Sequence, residues 1–574
     1  MKSDMYRYLS ALFFTALLLV ACNGKDNHSA EDVLKYNQVG YFTSGPKLVL
    51  LDDQYEEILI KDLDGKLVLR VFADSAKFWE PSGDTVRRAD FSWLNSKGTF
   101  LLEIPGCDVR YQITVSDKPY DEVVRAAIKA FYYNRTAIPL EEKYAGYWYR
   151  QAGHPDTVVY VHASAATEQR PEGTVISSPL GWYDAGDYNK YVVNSAITTY
   201  TLLKALKDYR EYFDTLGVNI PESGSGLPDL LSETLFNLRW VLTMQDPFDG
   251  GVYHKLTSKQ FDDFIMPHES LSDRYVVAKS TAAALDFTAL NAAASRILRD
   301  YEELLPGLAD SCLAAAKLAW NWALQHPDVY YKQPEDIVTG AYGDWNLNDE
   351  WYWAASELFI ASGDPNAKNL VVTYYDQPSV PNWMDVRTLG TMSLLENPEL
   401  EGELSLPLSE DFIALADNLV SVWENSPYAV SIQSFAWGSN STVANEGMLK
   451  MCAYRLSGNK KYLESAISDL DYILGRNATG YCFVTGFGEK RVMNIHHRPS
   501  EADGIHEPIP GFLAGGPNLD VLTDCSDDGN ERSPFPAKSY VDMVCSYSTN
   551  EIAINWNAPL VYLVGAINAS AMTK

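Results

Sequence analysis

"YVVNSAITTYTLLKALKDY", residues 191–209, decides the fold. It is a helix-length periodic segment, and the chain downstream repeats its texture. Comparable runs are "DEVVRAAIKAFYY" (121–133), "LPDLLSETLFNLRWVLTMQ" (227–245), "STAAALDFTALNAAASRIL" (280–298) and "ADSCLAAAKLAWNWALQ" (309–325). "DEWYWAASELFIASG" (349–363), "SEDFIALADNLVSVWE" (409–424), "STVANEGMLKMCAYRLSG" (441–458) and "KYLESAISDLDYILG" (461–475) follow. Many end at Gly, Asn or Pro, which stop helices. With shorter candidates and the final "NEIAINWNAPLVYLVGAINAS" (550–570), about a dozen helices are expected. Twelve helices can close as six hairpins into an α/α toroid whose inner ends and loops rim a cleft.

Upstream the texture differs. Residues 35–117 carry short runs, "KLVLL", "KLVLRVF", "FLLEI" and "YQITV", separated by Gly, Pro, Asp and Asn turns, which predicts a small β-sandwich. Residues 1–22 read as a targeting segment: Lys2 and Arg7, the apolar "ALFFTALLLVA", then Cys22 in "LVAC". That ending resembles a bacterial lipobox, so Cys22 is the expected lipidation site and residues 23–34 a tether. The expected localisation is an exported lipoprotein anchored at the outer membrane or cell surface. The expected domains are therefore 1–22, 23–34, 35–117 and a helical catalytic domain 118–574.

A net charge of −30 argues against nucleic acid and anionic surfaces as partners, and favours a neutral ligand. Membrane contact is expected through the lipid anchor only, and the chain is expected to be monomeric. The 14 Trp and 36 Tyr suit sugar stacking, but large helical cores also consume aromatics. The remaining cysteines lack CxxC spacing and read as buried thiols, although Cys525 and Cys545 could pair in an oxidising compartment.

Three polar clusters fall in loops or at helix ends. In "GWYDAGDYNKY" (181–191), a glycine that permits positive φ lets the turn aim Asp184 and Asp187 at one point, where they could hold and deprotonate a water. Capping of the next helix by Asp187 is the bland alternative. In "RVMNIHHRPS" (491–500), His496 and Arg498 share a face at spacing two. A solvent-exposed basic turn explains them as well. In "YVDMVCSYSTNEIAINWNAPL" (540–560), Glu551 stands near Tyr540, Asp542 and Tyr547, and an acid in a first helical turn explains it alone.

Together with "NQVGY", "DGGVYHK", "DYILGRN", "HHR" and "GGPN", these segments resemble glycoside hydrolase family 9 over nearly everything after residue 35. The resemblance implies a mainly α protein, an (α/α)6 barrel preceded by an immunoglobulin-like β-sandwich. It implies hydrolysis of β-1,4-glucosidic bonds in neutral β-glucans with inversion. Asp187 would be the general base, Asp184 the holder of the water and Glu551 the general acid, with His496 and Asp542 in support. Inversion requires carboxylates roughly 6.5–9.5 Å apart. Arg498, Tyr547, Trp182, Tyr188 and Trp437 are the expected substrate contacts.

No cofactor is implied for the chemistry. A structural calcium is implied near "TGAYGDWNLNDE", with Thr339, Gly340, Asp344 and Asp349 as oxygen ligands, while "RQAGHPDTVVYVH" lacks the cysteine of the family's zinc site, which makes zinc doubtful. An exo-acting cellodextrinase or glucosaminidase, a non-catalytic glycan-binding lipoprotein and a polysaccharide lyase are the competing readings.

Overall fold

The computed structural model describes residues 33–525 and 531–572. The targeting segment and Cys22 lie outside the described residues. Two sheets form the N-terminal module. One orders Leu34–Lys35, Leu48–Asp52, Asp84–Asp90 and Lys77–Trp79; the other orders Tyr41–Phe42, Arg110–Ser116, Gly98–Glu103, Glu57–Lys61 and Leu67–Phe72. Alternating residues such as Val49, Leu51, Ile58, Ile60, Ile113 and Val115 face inward and close a core of their own.

Among the described residues twelve helices of nine or more residues follow: α1 (Asp121–Tyr133), α2 (Val192–Asp208), α3 (Asp229–Thr243), α4 (Thr281–Leu298), α5 (Leu308–Gln325), α6 (Asn348–Ser362), α7 (Pro365–Tyr374), α8 (Arg387–Leu395), α9 (Leu408–Asn425), α10 (Ser439–Ser457), α11 (Lys460–Ile473) and α12 (Ile554–Met572). They alternate outside and inside. Helix α12 packs on α2, α2 on α4, α4 on α6, α6 on α8 and α10 on α12, while α9 bridges α8 and α10. The residue patterns explain the division. Fifteen of the 17 residues of α2 are buried, because small and apolar residues surround its axis, whereas α5 buries only one face through Ala309, Cys312, Ala316, Ala319 and Ala323.

Asn37 of "NQVGY" pins the module to the helices. Its Nδ2 donates to Asp471 Oδ1 (2.7 Å), and its Oδ1 accepts the Val39 and Gly40 amides (2.9 and 3.2 Å).

Two findings depart from the sequence reading. Cys525 and Cys545 form a disulfide rather than standing as buried thiols. A five-stranded sheet also interrupts the helices, in the order Val175–Ile176, Val159–Val161, Tyr275–Lys279, Tyr253–Thr257 and Lys190–Tyr191. Its strands are two to five residues long and lie far apart in sequence, so no local run announces them. The edge strand Lys190–Tyr191 begins three residues after Asp187, and so fixes the turn to the sheet.

Candidate active site

The turn Asp184–Asp187 sits between the bridge-forming Trp182 and the strand Lys190–Tyr191. Asp187 does not cap the helix, since α2 starts at Val192. Gly186 lacks a positive φ, and what demands glycine is space: a Cβ there would meet the His496 carbonyl oxygen at 2.2 Å. Arg498 clamps the same residue, Nη1 donating to the Gly186 carbonyl (2.7 Å) and Nε to the Asp262 carbonyl (2.7 Å).

Main-chain hydrogen bonds bring the three clusters together. The Arg498 amide donates to Gly186 (3.2 Å), the His496 amide to Asn550 (2.9 Å), and the Ile554 amide to Asp184 (2.8 Å). Glu551 pairs with His496 in a short parallel bridge, follows the single turn Tyr547–Asn550, and precedes α12 rather than lying in its first turn. Asp542 accepts the Met493 and Asn494 amides (2.8 Å each) and Asn550 Nδ2 (3.0 Å), so it braces the residue before Glu551.

The carboxylates sit in different surroundings. Asp184 is buried and accepts the Tyr342 hydroxyl (2.7 Å) and Asn194 Nδ2 (3.0 Å). Burial, then the charge of Asp187, pushes it up to about 8 against those two bonds. Burial thus favours the protonated form of Asp184, which lessens the penalty of two adjacent negative charges. Asp187 Oδ2 accepts Asn189 Nδ2 (2.5 Å) and the Tyr191 hydroxyl (3.0 Å). Glu551 is raised to about 8 by burial, then by Asp187 and Asp184, while the Gly186 amide and Arg498 act the other way.

Tyr342 is the residue sequence reasoning missed. It holds a positive φ of 48°, aims its hydroxyl at Asp184, and packs its ring on Tyr191 (4.7 Å) and Trp383 (5.0 Å). A non-glycine side chain in left-handed backbone beside a carboxylate is a mark of function, visible only in three dimensions.

Tyr547 and Trp437 are each about two-fifths exposed (37% and 41%), with ring centroids 5.5 Å apart, and Tyr547 lies 6.0 Å from His496. They offer partly exposed aromatic rings, Tyr547's beside His496. Trp182 does not: it is fully buried, packs on Phe131 and donates Nε1–H to Glu233 (2.9 Å). Tyr188 is also buried, its hydroxyl held by the Ile265 carbonyl (2.5 Å). Both pack the loop instead of facing a sugar. His496 gives Nδ1–H to Val544 (2.6 Å), and burial holds it below the usual histidine range, so it is neutral.

The metal expectations need correction. Lys255 Nζ occupies the Thr339 hydroxyl (3.1 Å) and the Gly340 carbonyl (2.7 Å), so this pair does not fit a cation. Asp344 and Asp349 instead interact with Asp286 and Glu350, and each of the four keeps a buried oxygen without a donor. Among the described residues no group of three or more His, Cys, Asp or Glu is arranged to hold a metal ion. His154 bonds Tyr183 (2.8 Å) while His162 bonds Ser164 (2.9 Å) and Asp336 (3.2 Å), so the two histidines do not converge on a zinc.

The family model "Glycosyl hydrolase family 9" matches residues 120–564, and "Cellulase N-terminal ig-like domain" matches residues 29–109. The chain belongs to glycosyl hydrolase family 9. It is 40% identical to a xyloglucan-specific endo-beta-1,4-glucanase of Bacteroides ovatus, with 99% of each chain covered. It is 31% identical to endoglucanase D of Acetivibrio thermocellus, over 95% of this chain and 84% of that one. A solved Bacteroides ovatus GH9 structure superposes with a TM-score of 0.88 at 40% identity, covering 94% of this chain and all of that one (100%). This family 9 chain is thus a glycoside hydrolase with an immunoglobulin-like N-terminal domain ahead of its helices.

Proposed function

We propose that the protein cleaves β-1,4-glucosidic bonds inside neutral, branched β-glucan chains of the xyloglucan type, with inversion of configuration. The two concentric sets of helices are read as an (α/α)6 barrel. The observation that carries the mechanism is the contrast between the carboxyls: Glu551, pushed up to about 8, keeps a proton for the departing glycosidic oxygen. Asp187, held by Asn189 and Tyr191, takes one from water. Protonated Asp184, steadied by Tyr342 and Asn194, completes the wall behind that water. Neutral His496 and the Tyr547–Trp437 pair border the sugar.

Similarity to the xyloglucan-specific relative supports the branched substrate. Chromatographic product profiles on xyloglucan, barley β-glucan and carboxymethylcellulose test it. Xyloglucan oligosaccharides as the preferred products support the reading, and release of single terminal sugars or cellobiose alone overturns it.

The lipobox-like "LVAC" supports anchoring through Cys22, tested by whether Cys22→Ser releases the protein from membranes. No cofactor serves the chemistry. Of the expected calcium ligands Asp344 and Asp349 remain, and a calcium held in part by them is tested by whether calcium raises the Tm of chelator-treated protein, an unchanged Tm overturning it.

A further inference from the structure

Behind the catalytic turn runs a line of buried polar groups that the acid–base chemistry does not use directly. Asn189 is buried, and its Oδ1 receives the Thr257 hydroxyl (2.9 Å), the Ser258 amide (3.0 Å) and Arg274 Nη1 (3.2 Å). The Ser258 amide and Arg274 Nη1 can only donate, so together they leave one orientation for the Asn189 amide. A flipped Asn189 would set its NH₂ against both, so Nδ2 is forced toward Asp187 Oδ2 (2.5 Å).

Arg274 is itself buried and held. Its Nη2 donates to the Tyr188 carbonyl (2.8 Å) and its Nε to Asp156 Oδ1 (3.2 Å). Asp156, with no exposed side-chain surface, also pairs with Lys190 Nζ (2.7 Å) at the other flank of the turn. This is the segment in which family resemblance would place a zinc. Here the segment holds a carboxylate between two cations.

Mere packing does not explain the arrangement. Burying three charges costs desolvation that an apolar cluster would avoid, so such groups are better explained by the geometry they specify than by net stability. Each link also points toward Asp187. Arg274 polarises the Asn189 carbonyl, which strengthens the opposite N–H as a donor to the base.

We propose that Asp156, Arg274 and Asn189 form a positioning relay for Asp187, with Arg274 acting through the Asn189 amide. The proposal rests on the reading of Asp187 as the base. Other groups that face Asp187 are Asp184, Tyr191, Lys255, His496 and Glu551, and all stay in place in the test variants.

The test uses the full chain with Asn189→Ala, Arg274→Gln, Arg274→Lys, the Asn189→Ala/Arg274→Gln double variant and Asp187→Asn. A hydrogen bond to a charged group predicts that Asn189→Ala and Arg274→Gln each lower kcat about tenfold, with KM within about twofold. The acidic limb of the pH profile moves to higher pH, because a carboxylate that loses a donor takes up its proton more readily. The double variant is no slower than the slower single one, since both act through one bond. Arg274→Lys recovers part of the loss.

A lowered Tm with unchanged kcat and acidic limb, or losses that multiply in the double variant, overturns the relay. Should Arg274→Gln fail to fold, Asn189→Ala decides alone, because it removes a small side chain and no charge. If Asp187→Asn keeps wild-type kcat, the base reading falls and the relay with it. If Asp187→Asn is inactive while both other variants match wild type, only the relay falls.

Discussion

The two halves of the proposed catalytic machinery, Asp187 and Glu551, are built in opposite ways. The turn at Asp184–Asp187 is saturated with donors: Tyr342 and Asn194 on one carboxyl, Asn189 and Tyr191 on the other. At Glu551 the Gly186 amide and Arg498 favour the ionised form, but burial and the charges of Asp187 and Asp184 outweigh them. The donors on Asp187 stabilise a carboxylate, whereas dryness and the neighbouring charge of Asp187 stabilise the acid form of Glu551 and outweigh the donors on Asp184. On the proposed assignment one chain thereby runs base and acid chemistry at one pH, and burial, reinforced by the charge of Asp187, keeps the acid protonated.

Removing either end breaks the comparison most severely. Asp187→Asn and Glu551→Gln should each lower kcat on β-glucan about 10³-fold, measured by release of reducing ends. Less drastic is Tyr342→Phe, which strips a donor from Asp184 and should cost about tenfold in kcat at constant Tm. Retained activity would show that Asp184 needs no such support.

The pH profile sharpens the same contrast. Because Glu551 must hold its proton, and its value is about 8, activity should fall as pH rises through about 8. Stability should move in the same direction. Asp184 and Glu551 bind protons more tightly in the folded chain than in the unfolded one, so their contribution is full below the ordinary carboxylate range and is lost as pH rises toward about 8. Calorimetry should show Tm declining between about pH 5 and 8 from these groups. The smallest effect lies at the rim: Trp437→Ala should raise KM about threefold to tenfold with kcat nearly unchanged, as expected for one stacked ring.

The broad fold was legible because its signals are local. Helix-length periodicity in residues 121–475 and short apolar runs between turn residues in residues 35–117 reflect patterns that each segment carries by itself. The site was legible where motifs held charged residues at short spacing, as at Asp184 and Asp187. It failed where meaning depends on a partner distant in the chain. Trp182 looks like a sugar platform until Glu233 and Phe131 enclose it. Gly186 looks like a φ requirement until the His496 carbonyl is seen against it. The five-stranded sheet, Tyr342 and the capture of Thr339 and Gly340 by Lys255 likewise come from contacts between remote segments.

The division of labour between Asp187 and Glu551 is tested most directly by changing the leaving group. Dinitrophenolate departs without a proton, so a substrate such as 2,4-dinitrophenyl β-cellobioside removes the need for the acid and leaves the need for the base. Glu551→Gln should recover most of its kcat on that substrate while Asp187→Asn stays inactive on both it and β-glucan. Recovery by Asp187→Asn instead, or equal recovery by both variants, would contradict the assignment.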